Sequence, residues 1–353
     1  MVHIVSTVKC FPSHYYDQGE IFAELKQIWG LKPRLAELLE NFHKNSNVRG
    51  RYTALPMEAY KELDGFGSRN DAWMEAALDL GENTLAELFH KAGIAPGAVS
   101  LLATTTITGI AVPSLDARLM NRLPFSQHMK RLPLFGLGCM GGAAGIARLA
   151  DYLAGHPAEL AVLLSVELCT LTIQKQDHSI ANLISGSLFG DGAAAVLMVG
   201  DEHPLASHGQ PKVIDNRSVF FPNTEYIMGW DIRDSGFKIV LSSDVAEVAE
   251  NRLGPEIESF LRGYGLSIPD IAHWIVHPGG PKVIQAMETG LGLREGTLQL
   301  SRESLAEVGN ISSASVLIIL EETLKRYQPA PGAYGFLMAM GPAFSAEFVL
   351  LQW

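Results

Sequence analysis

The chain has 353 residues, 47% of them hydrophobic and 18% charged, with a formal net charge of -11. A chain of that size buries a large core and leaves little for disordered tails, and length alone suggests about two domains. The acidic balance excludes a general nucleic-acid binder, which needs a surplus of Lys and Arg, although a local basic cluster could still hold an anionic ligand.

Three cysteines, Cys10, Cys139 and Cys169, are too few and too irregular for a disulfide framework. They fit a reducing cytoplasm. The first residues, MVHIVSTVKCFPSHYY, lack a basic segment followed by an apolar one, so no secretory signal is expected. No apolar run is long enough to span a bilayer, so no membrane insertion is expected either.

In chain order, residues 17–46 read as polar helix, with Leu25, Ile28, Leu35 and Leu38 on one rough apolar face. A long helix is predicted over 71–93, stopped near Gly93 and Pro96. The run SLLATTTITGIAVPSL is β-rich and ends at Pro113. MKRLPLF, basic and broken by Pro, reads as a poor strand.

Two later segments share one plan. In the first, Ile146, Leu149, Ala150 and Leu153 form a helical face that Gly155 and Pro157 terminate. A doubly buried strand Leu160–Val166, a turn at Gly190-Asp191-Gly192 and a second buried strand Ala193–Val199 follow. In the second, Val316, Leu317, Leu320 and Leu324 line a helix that Ser312 or Ser313 could cap, with Lys325 and Arg326 at its C-terminal end. A strand Tyr334–Met340, a Gly341-Pro342 break and a strand Glu347–Leu351 complete it. This repetition predicts an internal duplication, residues 1–205 and 206–353, in an α/β fold with helices sandwiching buried sheets.

Cys139 stands at the start of the first of these helices, among Gly136, Gly138, Gly141 and Gly142. A helix N-terminus favours thiolate over thiol, and the glycines would let a substrate carbonyl approach the backbone. A buried core cysteine is the alternative. The same stretch matches G-x-G-x-x-G before a helix, and Glu167 closes the next strand, the outline of a dinucleotide site. The poor strand before it weakens that reading.

His277 follows Trp274-Ile275-Val276 and precedes Pro278-Gly279-Gly280-Pro281, a rigid loop with Pro281 near the first turn of a helix. His273 lies four residues upstream; on a strand that separates the two by about 13 Å, too far for one ion. With no H-E-x-x-H or C-x-x-C, no metal is expected. Asn310, between Gly309 and Ile311, could be a helix cap.

Taken together, GCMGGA, VHPGGPKV, GNISSAS and LFGDGAAAV, in this relation to one another from Lys44 to the C-terminus, resemble the chalcone synthase-like (type III) polyketide synthases of the thiolase superfamily. HPGGPKV is the most specific element, and SVELCTLT is similar to the bacterial branch. The resemblance implies a thiolase-like αβαβα sandwich, a homodimer that buries the loop Ile107–Val112, and CoA thioesters as the only small-molecule partners, with no metal, flavin or nicotinamide.

It also implies roles. Cys139 would carry the acyl chain, and His277 and Asn310 would position malonyl-CoA and stabilise the enolate left as carbon dioxide departs. Phe189 and Phe237 match the gatekeepers between CoA tunnel and cavity, or are ordinary core aromatics. Lys44 and Arg49 fall where the basic CoA-contact segment belongs, or lie on a solvated face. Cys169 and Thr172 match cavity positions that tune product, and Thr108 and Val112 lie on the loop near the dimer partner. An acyl-CoA starter extended by malonyl units, giving an alkylpyrone or alkylresorcinol, is the expected reaction; a malonyl-only aromatic product and a fatty-acid-type ketoacyl synthase are the alternatives. Ala339-Met340-Gly341-Pro342-Ala343 departs from the family's G-F-G-P-G, and Met140 stands where plant enzymes have Phe.

Overall fold

In a computed structural model covering residues 1–353, strand and helix alternate through two halves. The first half contains β1 (Val2–Cys10), β2 (His14–Asp17), α1 (Gln18–Ile28), α2 (Pro33–Asn45), β3 (Gly50–Thr53), α3 (Gly65–Ala92), β4 (Leu101–Thr105) and α4 (Leu115–Leu119). It continues with β5 (Lys130–Leu134), α5 (Gly141–Ala154), β6 (Leu160–Leu168), α6 (Ile180–Leu188) and β7 (Asp191–Gly200). The second half contains β8 (Lys212–Phe220), β9 (Met228–Arg233), β10 (Gly236–Leu241), α7 (Val245–Arg262), β11 (Ile271–Val276), α8 (Pro281–Gly290), α9 (Gln299–Val308), α10 (Ser312–Arg326), β12 (Tyr334–Gly341) and β13 (Ser345–Gln352).

Nine strands form one sheet in the order β11-β12-β13-β8-β1-β7-β6-β4-β5. Its halves join narrowly, by the pairs Val2↔Val213 and His3↔Lys212 between β1 and β8. Helices α5 and α10 pack on each other and on strands of both halves. One apolar core surrounds them, while α1–α3 cover the other face of the first-half strands and α7 and α8 that of the second. The resulting layers are helix, sheet, helix pair, sheet, helix, as the duplication predicts. Every residue of β6 and β7 is buried, which explains their uninterrupted apolar sequences.

Several boundaries differ from the sequence expectation. Residues 17–46 form two helices, because Gly30 turns the chain at φ 55° and Pro33 starts α2. The helix expected from 71 begins at Gly65 and ends, as expected, at Gly93 in the left-handed conformation. The β-rich run after Ser100 is strand only to Thr105. Asp191 and Gly192 belong to β7 rather than to a turn before it. MKRLPLF contains a true strand, β5, parallel to β4 at the edge of the sheet, where Pro133 removes no ladder bond that the sheet needs. Neither Ser312 nor Ser313 caps α10: the Ile311 N–H donates to Ser315 Oγ at 2.8 Å, and the Ser312 N–H to Asn310 Oδ1 at 2.8 Å. No helix is long and apolar enough to cross a membrane.

Candidate active site

Cys139 lies in a single helical turn, Gly138–Met140, that leads into α5. The glycines beside it serve packing rather than substrate access. A Cβ on Gly142 would stand 2.2 Å from the Ser313 carbonyl oxygen, and one on Gly141 2.4 Å from Thr105 Oγ1. Their absence of side chains lets α5 meet α10 backbone to backbone, which brings the Cys139 turn beside the start of α10.

His277 extends β11: its N–H donates to Met338 O of β12 at 3.0 Å, and Pro281 then opens α8. Asn310 sits just before α10, its Nδ2 donating to Gly279 O of the histidine loop at 3.0 Å while its Oδ1 holds the Ser312 N–H. A carboxamide carries two N–H donors, so one is left for a ligand. Cys139, His277 and Asn310 all line one cavity of about 440 Å³. His277 and Asn310 are buried at 2% and 1% exposure, so both address that cavity rather than bulk solvent.

Burial sets the electrostatics. It pulls the His277 imidazole down to about 3, so the ring is neutral at neutral pH, and leaves its Nδ1 without a protein partner. It pushes the Cys139 thiol up to about 12; the Glu167 carboxylate adds to that shift, and the Ser312 hydroxyl opposes it. Burial thus works against the thiolate that the start of a helix favours. Burial opposes each charge alone, so neither an isolated thiolate nor an isolated imidazolium is favoured at this site.

Glu167 is not a ribose ligand. It is fully buried and accepts hydrogen bonds from Ile107 N at 3.0 Å, Thr108 Oγ1 at 3.0 Å and the Ser313 hydroxyl, and burial raises its pKa. The acidic element of the dinucleotide outline is thus engaged within the protein, while Gly138 and Cys139 of its glycine-rich element line the cavity.

The remaining expected residues divide. Phe189 and Cys169 line the cavity. Phe237 does not: it is buried against Phe66, ring centroids 5.2 Å apart, and behind Trp230, which does line it. Thr172 donates to Cys169 O at 2.7 Å, and Thr108 binds Glu167 and accepts from Leu168 N; neither reaches the cavity wall. Lys44 pairs with Glu40 at 2.6 Å and Arg49 with Glu307 at 3.5 Å, both on the surface. The one cation on the cavity wall is Lys282, in the first turn of α8. Sequence reasoning passed over it, although it lies inside the quoted HPGGPKV. Ser312 was likewise read only as a cap. It lines the cavity with its hydroxyl beside the Cys139 thiol, and its φ of 45° stores strain there.

A half-buried cysteine, a neutral histidine and an asparagine donor around one apolar-walled cavity define a thiolase-fold condensing enzyme. Comparison with known proteins gives the family. The model of the chalcone and stilbene synthase N-terminal domain matches residues 2–202, and that of the C-terminal domain matches residues 213–353. The chain is 48% identical to a 1,3,6,8-tetrahydroxynaphthalene synthase of Streptomyces peucetius subsp. caesius, over 97% of this chain and 90% of that one. It is 32% identical to a 3,5-dihydroxyphenylacetyl-CoA synthase of Streptomyces toyocaensis, over 88% and 81%. The crystal structure of the Streptomyces coelicolor 1,3,6,8-tetrahydroxynaphthalene synthase, described as a bacterial type III polyketide synthase, superposes with a TM-score of 0.93 at 28% identity, covering 99% of both chains. The chain belongs to the chalcone and stilbene synthase family and is a type III polyketide synthase, an acyltransferase that works by decarboxylative Claisen condensation.

The shared cavity predicts a labelling order. Iodoacetamide near pH 7 should modify Cys139 before Cys169, which lines the same cavity but is 3% exposed with its thiol pushed well above the ordinary value, and before Cys10, which lies outside that cavity. His277→Ala should slow that labelling about 10²-fold, the lower end of what a positioned base contributes. Peptide mapping that finds Cys10 or Cys169 modified first, or an unchanged Cys139 rate in His277→Ala, would refute the pairing.

Proposed function

We propose that this synthase builds a short poly-β-ketone from malonyl-CoA alone and closes it to an aromatic product without an alkyl tail. The observation that carries the chemistry is the convergence of Cys139, His277 and Asn310 on a single cavity. Cys139 Sγ attacks a thioester carbonyl as its proton passes to His277, and CoA leaves as the thiol with a proton returned to it. A second malonyl-CoA then presents its thioester oxygen to the free Asn310 N–H and the His277 ring. Its bond to the carboxyl carbon breaks, carbon dioxide departs, and the electron pair becomes an enolate held by those donors. The enolate carbon attacks the Cys139 thioester and expels the thiolate, lengthening the chain by two carbons. CoA thioesters and these three side chains complete the reaction, with no metal or further cofactor in it.

The product class rests on the relatives' names. 1,3,6,8-Tetrahydroxynaphthalene has ten carbons, all in the rings, oxygenated in alternation as five two-carbon units require. 3,5-Dihydroxyphenylacetyl-CoA likewise has an eight-carbon acyl part, four such units. A fatty acyl starter would leave an alkyl tail on either. This reading replaces the alkylpyrone or alkylresorcinol expected from the sequence. The three free thiols suit a reducing cytoplasm.

CoA brings phosphates to the cavity mouth, and we assign Lys282 to them in place of Lys44 and Arg49. The second proposed partner is another copy of this chain. Val112 is 91% exposed on its loop, Phe135 is half exposed just after β5, and β5 leaves one strand edge unpaired at the margin of the sheet.

Mass spectrometry of reactions fed malonyl-CoA alone should show a ten-carbon aromatic product, and added long-chain acyl-CoA should not enter it; a product carrying the acyl chain would overturn the malonyl-only reading. In the same assay Asn310→Ala should lose decarboxylation by about 10²–10³-fold, the usual cost of one oxyanion donor. Lys282→Ala should raise the KM for malonyl-CoA roughly fivefold at low ionic strength and less at high salt, whereas Lys44→Ala should leave it unchanged; the opposite ranking would return the CoA contact to Lys44. Light scattering should give twice the chain mass, and Val112→Asp should shift it toward monomer; an active wild-type monomer would refute the dimer.

A further inference from the structure

Arg51, on β3, is among the largest fully buried side chains of the protein at 2% exposure, and it does not line the catalytic cavity. Its guanidinium donates from Nη1 to Phe189 O at 2.8 Å and from Nη2 to Gly186 O at 2.6 Å. Those carbonyls belong to the C-terminal end of α6, where orphan acceptors and the helix dipole favour a cation. Phe189 is itself a cavity wall, and its segment pairs with the catalytic asparagine as an isolated bridge, Phe189↔Asn310. There the Asn310 N–H donates to Leu188 O at 2.9 Å, and the Gly190 N–H to Asn310 O at 3.0 Å.

The stem of Arg51 packs under this crossing. A Cβ on Gly190 would stand 3.0 Å from Arg51 Cβ, and one on Gly309, whose φ is 73°, 2.7 Å from Leu188 O and 3.4 Å from Arg51 Cδ. The fork and the stem thus hold both sides of the bridge. Asp191, the next residue but one after Phe189, is the nearby acid that opposes the downward shift of Arg51; burial raises Asp191 itself to about 7, and it accepts from Thr170 N at 2.8 Å and Ala54 N at 2.6 Å. Burial draws Arg51 down to about 10, which still leaves it charged at neutral pH.

We propose that Arg51 is a positioning residue for condensation, clamping the Phe189 segment so that the Asn310 carboxamide and the Phe189 ring keep one register in the cavity. Lys places its three donors on one nitrogen and lacks the planar fork that spans the two carbonyls. The proposal rests on the role assigned to Asn310 above, so its test must separate the two.

The experiment uses the full-length protein as Arg51→Met, Arg51→Lys, Asn310→Ala and the double variant Arg51→Met/Asn310→Ala, with every rate divided by the Cys139 thiols titrated with iodoacetamide. Arg51→Met should lower the kcat of malonyl-CoA decarboxylation at least tenfold, with KM and the Cys139 alkylation rate within twofold of wild type. Arg51→Lys should fall between. In the Asn310→Ala background Arg51→Met should cost nothing more, because the group it positions is gone. Unchanged decarboxylation per titrated site, an equal loss of alkylation rate, or additive losses in the double variant would overturn the proposal, as would recovery of both Arg51 variants only as unfolded protein. If the wild type itself does not decarboxylate malonyl-CoA, the condensing role of Asn310 fails and the role of Arg51 falls with it; if the wild type does and Asn310→Ala does not, a normal rate in Arg51→Met refutes the clamp alone.

Discussion

The contact between Gly142 and the Ser313 carbonyl is the constraint on which the site depends. Two central helices, one from each half, can come this close only where one of them has no side chain. The crossing places the turn that carries Cys139 beside the residues that open α10, namely Asn310 and Ser312. A wider separation, such as any Cβ at Gly142 would force, moves the nucleophile from the donors that must hold the enolate. Duplication of the fold thus brings Cys139 of one half together with His277 and Asn310 of the other, on a cavity that lies along the seam.

Burial at the seam does two opposite things. It disfavours every isolated charge, so His277 is neutral and the Cys139 thiol is hard to ionise alone. It also strengthens any hydrogen bond to charge that does develop, because little solvent competes. A neutral imidazole beside a half-satisfied carboxamide suits that use: both can donate to an enolate oxygen, and neither carries a permanent charge that would bind the ground state equally well. Glu167, by contrast, spends its oxygens on Ile107, Thr108 and Ser313, tying the loop after β4 to α10 beneath the thiol.

How much of this was legible in the sequence follows from the range of each interaction. Cys139, His277 and Asn310 could be found because each stands in a short motif whose glycines and prolines fix the local backbone, and the buried strands β6 and β7 because nothing polar interrupts them. Lys44 and Arg49 could not be told apart from solvated charges because a basic residue near the right position says nothing about its neighbours: both pair on the surface, with Glu40 and Glu307, while Lys282 reaches the cavity from another half of the chain. The strand within MKRLPLF was dismissed on Pro133, and only its place at the sheet edge, a tertiary fact, makes that proline harmless. Residues from 206 to about 270 offered no pattern. Their strands β8, β9 and β10 are half exposed and mixed in character, and α7 carries Pro255 inside it.

That unreadable stretch bears on product. The reacting end of the cavity is built from sheet ends and the starts of central helices, buried on all sides and intolerant of change. Much of the rest of its wall comes from the ribbon β9–β10, through Met228, Trp230, Ile239 and Leu241, and from Ile180 and Ile184 of α6. The ribbon pairs only with itself and joins no other sheet. Its side chains can therefore vary in size without disturbing the ladder that holds Cys139, His277 and Asn310. The volume these residues enclose is thus set apart from the seam: the seam is built from short, sterically exacting motifs, the wall from residues whose side chains meet only after folding.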